Sequence, residues 1–161
     1  ETQEAGARII DKTGPLDNPA DRDHCIQYMV AIPMIFGHLT AADYEDGIAG
    51  DPRVDALRDK MEVEENEQFT KDYFDPDKRY IGNAIQVFFK DGSSTDRIEV
   101  NFPIGHRERR EEGISVLKQK FVDSVSPKLA EGQWSQLDVL CADREALAAT
   151  AVDEFVALLV A

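Results

Sequence analysis

Six side chains fall within eight residues in an order that could do acid–base chemistry on an anion: Asp21, Arg22, Asp23, His24, Gln27 and Tyr28. On a helix His24 and Tyr28 are four apart and share a face, with Asp21 three before His24 and Gln27 three after it. A carboxylate beside an imidazole orients the ring and settles which nitrogen carries the proton, as a general acid or base requires. Arg22 is left to face an anion with its planar fork of donors. A plainer reading fits the same residues. Asp21 and Asp23 also suit the positive end of a helix, and a hydrogen-bonded His and Tyr suit a domain edge. On spacing alone both readings stay open.

A second stretch, Pro103-Ile104-Gly105-His106-Arg107-Glu108-Arg109-Arg110, is the only dense basic cluster in the chain. Three arginines in an opening helical turn oppose the dipole, each by about 0.3–1 kcal/mol if nothing compensates. Pairs of Arg107 with Glu111 and Arg109 with Glu112 are one compensation. An anion held by the arginines beside His106 is the other. His38, just after Gly37, reads as a partner of a helix C-terminus, and Asp43-Tyr44-Glu45-Asp46 as a solvated acidic turn without metal-loop spacing.

The elements that must position these residues follow from caps and breakers. Asn18 caps a helix, Pro19 suits its first position, and the pattern runs to Phe36, where Gly37 stops it. Pro33 inside that helix removes one backbone bond. The spacing predicts one helix over residues 19–36, polar at its start and apolar at its end, with its N-terminus at a cleft wall. Thr2 to Asp11 reads as extended, Thr40-Ala41-Ala42-Asp43 starts a short helical turn, and Asp51-Pro52 starts a helix bearing Val54, Leu57, Arg58 and Met61. Met61 to Glu64 alternates like a strand, and Phe69 to Tyr80 reads as a loop around Asp75-Pro76-Asp77. The clearest sheet signal is a hairpin over about residues 84–102, turning at Asp91-Gly92, with one face buried. Helices follow from about 107 to 124, around Trp134, Leu137 and Cys141, and after a cap at Asp153. The mixed order predicts an α+β fold: a small antiparallel sheet packed by helices, in one domain over residues 1–161.

Composition narrows the function. The chain has 161 residues, a formal charge of −14 and an isoelectric point near 4.5. Such a balance opposes non-specific nucleic-acid binding, which needs a basic face to displace counterions. It also repels an anionic ligand, so local cations must overcome the background. Two cysteines, Cys25 and Cys141, read as buried thiols in a reducing compartment and cannot supply the three or four thiolates of an iron–sulfur cluster. No CxxC or HExxH spacing points to a metal, and no apolar run suggests a membrane span or a targeting segment. The start without Met, in what reads as the middle of a strand, suggests a piece of a longer polypeptide.

Several stretches taken together carry a resemblance. Asp17-Asn18-Pro19-Ala20-Asp21-Arg22-Asp23-His24-Cys25-Ile26-Gln27-Tyr28-Met29, Thr40-Ala41-Ala42-Asp43-Tyr44-Glu45-Asp46, Asp51-Pro52-Arg53-Val54-Asp55-Ala56-Leu57-Arg58, Asp75-Pro76-Asp77-Lys78-Arg79 and Pro103-Ile104-Gly105-His106-Arg107 resemble the MmgE/PrpD family. They do so in order over nearly the whole chain. Two positions depart from the family pattern: Asp17 stands where His or Asn is expected, and Phe74 where His is expected.

The resemblance implies the smaller, C-terminal α+β domain of a longer two-domain enzyme, whose larger helical domain precedes residue 1. The implied reaction is a hydro-lyase step of propionate breakdown, dehydration of 2-methylcitrate to 2-methyl-cis-aconitate, without an iron–sulfur cluster or other cofactor. Implied partners are a tricarboxylate substrate, the helical domain of the same polypeptide and a second copy in a homodimer, with neither nucleic acid nor membrane. The implied compartment is the cytoplasm in a bacterium or the mitochondrial matrix in a eukaryote. A site between the two domains would draw His24, Asp23 and Tyr28 as catalytic groups and Arg22, His106 and Arg107 as substrate-binding groups, with no metal ligand. In that set His24 is an acid/base group and Arg22 a carboxylate clamp. Two other expectations are kept: a non-catalytic packing or dimerisation module, and a cis-aconitate decarboxylase-like member of the same family.

Overall fold

Local side-chain caps and ion pairs set most of the short helices of the first unit, Glu1–Pro103; the second unit begins at Ile104, and the computed structural model describes residues 1–160. Helix α1 (Glu4–Ile10) occupies the segment expected to be extended. Its Glu4–Arg8 pair, 3.1 Å apart and one turn apart, is a local helix signal that outweighs the weak alternation. Only Thr2 is strand-like, bridging Glu65 and Asn83.

α2 (Pro19–Arg22) starts where expected, with the Asn18 side chain accepting the Asp21 N–H at 3.0 Å. It ends after one turn. α3 (Ile26–Phe36) begins anew at Cys25 and closes at Gly37, whose φ of 81° is a left-handed conformation that glycine adopts readily. The single helix expected over residues 19–36 is therefore two, joined at Asp23-His24-Cys25. The physical reason lies in what the junction buries. The Cys25 thiol is turned inside, 3.4 Å from the Lys12 carbonyl and 3.3 Å from Gln27 Oε1, and Arg22 is buried as well, on the Tyr44 and Leu16 carbonyls. These tertiary contacts replace the helical bonds that a continuous turn would have made.

Downstream, the Asp43 side chain reaches back to accept from the Thr40 N–H and hydroxyl and so closes a 3₁₀ turn, Ala41–Tyr44. α4 (Asp46–Ala49) and α5 (Pro52–Arg58) follow, the latter capped by Asp51, which accepts the Arg53 N–H at 2.9 Å. α3 packs on α5. Between them lies the core: Cys25, Tyr28, Ala31, Ile32 and Val54 are fully buried, with Leu57, Ile35 and Met61 packed around. Each of the larger side chains contributes about 1.5–3 kcal/mol by leaving water.

α6 (Glu67–Phe74) runs into the stretch from Phe69 expected to be a loop, because Asn66 accepts the Gln68 and Phe69 N–H groups and Glu67 pairs with Lys71. The strand expected over Met61 to Glu64 is not formed; Glu65 makes one bridge to Thr2 instead. The hairpin is antiparallel as expected, but short. β1 (Asn83–Ile85) pairs with β2 (Ile98–Val100) in the register Asn83 to Val100 and Ile85 to Ile98. Its apolar face is not buried: Ile85, Phe89, Ile98 and Val100 are exposed. The strands are three residues each, so they bring few cross-strand side chains together and leave their larger apolar groups at the surface.

In the second unit a 3₁₀ turn, Arg107–Arg109, leads into α7 (Arg110–Val125). α8 (Glu131–Ala142), α9 (Arg144–Ala149) and α10 (Val152–Ala157) complete it, with α8 packed on α9. Asp143 caps α9, a helix the pattern had not separated, and Asp153 lies within the first turn of α10 after a cap position at Ala151. Cys141 is exposed, so only Cys25 matches the expected buried thiol. The fold class is α+β: mostly helical, with one small antiparallel sheet. Among the described residues no helix is long and apolar enough to cross a membrane.

Candidate functional site

Breaking the opening helix changes which groups meet. His24, in the junction between α2 and α3, pairs through Nδ1 with Asp23, its neighbour in sequence. Asp21, expected as the partner, is engaged elsewhere: it accepts from Asn18 Nδ2 at 2.8 Å and faces Lys12 Nζ at 3.4 Å. The His24 and Asp23 side chains are 60% and 47% exposed, so the dyad is at the surface with an imidazole open to a ligand. A carboxylate on one ring nitrogen leaves the other to take or give a proton.

Arg22 and Tyr28 turn the other way. The Arg22 guanidinium is buried and donates to the Tyr44 carbonyl at 2.6 Å, to Asp46 Oδ1 at 2.8 Å and to the Leu16 carbonyl at 3.4 Å. The Tyr28 hydroxyl donates to the Asp43 carbonyl at 2.6 Å inside the core, and burial pushes its phenol above the usual range. His24 and Tyr28 therefore do not share the exposed helix face that the spacing suggested. Gln27 is also internal, donating to Asp11.

Asp43 organises the segment beneath. It is buried rather than solvated, accepting from the Thr40 N–H at 2.6 Å and the Thr40 hydroxyl at 2.8 Å, with His38 Nδ1 at 3.1 Å. These bonds, the Thr40 backbone first, hold its carboxyl below the ordinary aspartate range. His38 is thus the partner of a buried carboxylate, not of the α3 C-terminus.

A pocket of about 200 Å³ opens beside this segment, lined among others by Leu16, Arg22, Tyr28, Asp46, Asp55 and Arg58. Arg58, buried at the end of α5, donates to Asp55 and, at 3.0 Å, to the Gly14 carbonyl. Nothing in the chemistry-bearing motifs marked it. The signal that could have was its place among Val54, Leu57 and Met61: a guanidinium on an apolar stripe has to be held inside. A larger pocket of about 390 Å³ in the second unit is lined by Ser135, Gln136, Val139, Leu140, Asp143 and Ala146 and contains none of the expected site residues.

His106 and Arg107 belong to the second unit. The His106 ring accepts the Glu108 N–H at 3.2 Å and so caps the turn that carries the arginines. Arg109 pairs with Glu112 at 2.6 Å as expected, and Arg107 approaches Glu108 at 3.7 Å. Among the described residues no group of three or more His, Cys, Asp or Glu side chains could hold a metal ion.

Comparison with known proteins adds an independent line. The MmgE/PrpD C-terminal domain model matches residues 1–143. The chain is 58% identical over 159 residues, 99% of its own length, to a mitochondrial 2-methylcitrate dehydratase of Yarrowia lipolytica, of which it covers 30%. It is 52% identical over 159 residues to the 2-methylcitrate dehydratase of Salmonella typhimurium and 51% identical over 159 residues to that of Escherichia coli, covering 33% of each. The chain spans about a third of the length of these curated relatives.

Proposed function

The chain belongs to the MmgE/PrpD family, in which it is the C-terminal domain, and on that premise we propose that it forms one wall of the active site of a 2-methylcitrate dehydratase. Identity of 51–58% across nearly the whole chain with relatives of that name is the observation that carries the reading. The match of one family model to residues 1–143 supports treating both units as parts of one domain. The polypeptide upstream would supply the helical domain and the other wall, and the working molecule would be a homodimer. The compartment would be mitochondrial in a eukaryote, as the Yarrowia relative's name has it, and cytoplasmic in a bacterium.

The proposed reaction is a β-elimination. A base removes the proton from the substrate carbon bearing the methyl group, that electron pair becomes the new double bond, and the neighbouring C–O bond breaks. An acid protonates the departing hydroxyl, so that water and 2-methyl-cis-aconitate are formed. In this assignment His24 is the acid/base group, because its ring is exposed and carries a carboxylate, Asp23, on one nitrogen. Arg22 clamps a substrate carboxylate. Tyr28, whose proton is committed to the Asp43 carbonyl, positions the segment that holds Arg22. His106 and Arg107, in the second unit, are assigned as substrate-binding groups on the strength of the family resemblance alone.

Product analysis of the full-length enzyme on 2-methylcitrate, citrate and cis-aconitate tests this. Water loss from 2-methylcitrate is the expected outcome; carbon dioxide release from cis-aconitate, with 2-methylcitrate untouched, would overturn it in favour of a decarboxylase. His24→Gln in the full-length enzyme should lower kcat by about 10²–10⁴-fold at unchanged Tm, the range for loss of a general acid or base. Undiminished turnover would remove His24 from the chemistry.

A further inference from the structure

Two arginines of the first unit are far more buried than the carboxylates that pair with them. Arg22 and Arg58 are 5% and 6% exposed. The side chains of their partners Asp46 and Asp55 are 88% and 66% exposed. Backbone carbonyls hold each guanidinium from within, Tyr44 for Arg22 at 2.6 Å and Gly14 for Arg58 at 3.0 Å. Yet the Nε–H of each arginine is buried without an acceptor. One such orphaned donor would call for an explanation. Here there are two, on residues that line one pocket of about 200 Å³.

The orphaned atoms say what is missing. A guanidinium binds a carboxylate most strongly as a fork, two parallel N–H groups to two oxygens. Asp46 takes a single oxygen contact with Arg22 Nη2, at 2.8 Å, and leaves the adjacent Nε unused. Asp55 contacts only Nη1 of Arg58, whose Nη2 donates to the Gly14 carbonyl and whose Nε is unused. Each acid covers its arginine from the rim and matches it incompletely. We propose that Arg22 and Arg58 form a subsite for a carboxylate of a small polycarboxylate ligand, and that Asp46 and Asp55 occupy it until the ligand displaces them.

The exchange is electrostatically balanced. The two cations and two anions sum to zero, and an incoming carboxylate that sends one aspartate out to solvent preserves that sum. An exposed aspartate loses little on leaving, because its charge is already largely hydrated. In a chain of formal charge −14 the two guanidiniums are the local cations that an incoming anion needs against the background. The proposal rests on the reading of Arg22 as a clamp and adds to it Arg58 and the two aspartates.

Equilibrium binding of tricarballylate to the full-length protein tests the subsite apart from turnover, since this tricarboxylate lacks the hydroxyl that elimination requires. Arg58→Gln should weaken binding by about tenfold or more, the loss expected for one charge-assisted pair. Asp55→Asn should tighten it by removing the competitor, whereas a purely structural pair would only be damaged by that change. Full affinity in Arg58→Gln, unchanged or weaker binding in Asp55→Asn, or no binding by the parent protein would each overturn the proposal. If Arg58→Gln does not fold, Asp55→Asn decides alone. The subsite and the assigned reaction can fail separately. Arg58-dependent binding of tricarballylate by a protein that does not dehydrate 2-methylcitrate would remove the reaction and keep the subsite. Turnover of 2-methylcitrate with an unchanged KM in Arg58→Gln would do the reverse.

Discussion

Asp43 ties the buried network to the proposed site through a few bonds. Its carboxylate accepts from Thr40, its carbonyl accepts from Tyr28, and the next carbonyl along, that of Tyr44, holds Arg22. Its depressed pKa sets the sign of a pH dependence. A carboxyl that titrates lower in the folded state than in the unfolded one stabilises above the unfolded pKa of about 3.9, and that contribution is lost as pH falls through the folded value. Asp43→Asn should therefore lower Tm by several degrees at neutral pH, and the deficit should shrink as pH drops below about 4. Thermal melts of parent and variant across that range check it; a deficit independent of pH would mean that the carboxylate charge is not what stabilises the turn. The Thr40–Asp43 cap was legible as a pattern of types. That the acid is buried was not, because Asp43-Tyr44-Glu45-Asp46 has the composition of a solvated turn and the contacts that reveal otherwise come from outside it, His38 just before the turn and Tyr28 in α3. His24 was legible as a candidate for the same reason that its partner was not: residue types announce a titratable cluster, while the helix break decides between Asp21 and Asp23.

Among the elements, those whose signals are local were readable. Asn18-Pro19, Asp51-Pro52 and Gly37 lie at the helix ends they predict, because a cap or a left-handed stop acts through its own backbone neighbours. The break at Asp23-His24-Cys25 contains neither Gly nor Pro and follows from contacts to Lys12, Leu16 and Tyr44, which lie outside the helix and which its own caps and periodicity do not encode. α1 and α6 carry local signals too, the Glu4–Arg8 and Glu67–Lys71 pairs, overshadowed by weaker alternation and by the turn at Asp75-Pro76. Close packing of elements is readable only in three dimensions, and α7 gives a test of it. Gly→Ala inside a helix ordinarily stabilises by about 0.5–1 kcal/mol. At Gly113 an added Cβ would lie 2.5 Å from the Ile104 carbonyl oxygen, a backbone atom that cannot swing aside, whereas at Gly132 in α8 nothing lies within 4 Å. Overpacking of this kind costs about 1–3 kcal/mol, enough to reverse the sign. Gly113→Ala should thus speed hydrogen exchange of the α7 amides in the full-length protein, and Gly132→Ala should leave α8 unchanged or slower. Equal effects at both positions would show that the segment at Ile104 yields without penalty.

At the scale of the whole molecule two features pull against each other. Large apolar side chains are exposed in both units: Ile85, Phe88, Phe89, Ile98 and Val100 around the hairpin, and Val139, Val152, Val156 and Leu159 in the second unit. Scattered apolar groups are ordinary on a surface, but clusters of this size usually have a partner. The hairpin was legible as a hairpin, yet its exposed face was not. Alternation tells which residues share a side and never whether anything covers it. Against this stands a formal charge of −14, which repels like molecules at low ionic strength. The repulsion reaches about 30 Å at 0.01 M salt and only about 3 Å at 1 M, while the attraction between apolar faces is not screened. The 161 residues alone should therefore be monomeric, near 18.0 kDa, in dilute salt and associate reversibly as salt rises. The full-length polypeptide should bind less of a hydrophobic dye per domain, because the proposed helical domain would cover part of the same surface. Sedimentation at the two salt concentrations and dye titration of both proteins measure these outcomes. A fragment that stays monomeric throughout and binds no more dye than the longer protein would mean that these apolar groups need no cover. The domain would then be self-contained, and a site requiring a second wall would lose its main physical motive. If the fragment does associate, lack of dehydratase activity in its monomeric form at low salt, alongside activity of the full-length enzyme, would locate the missing catalytic groups upstream.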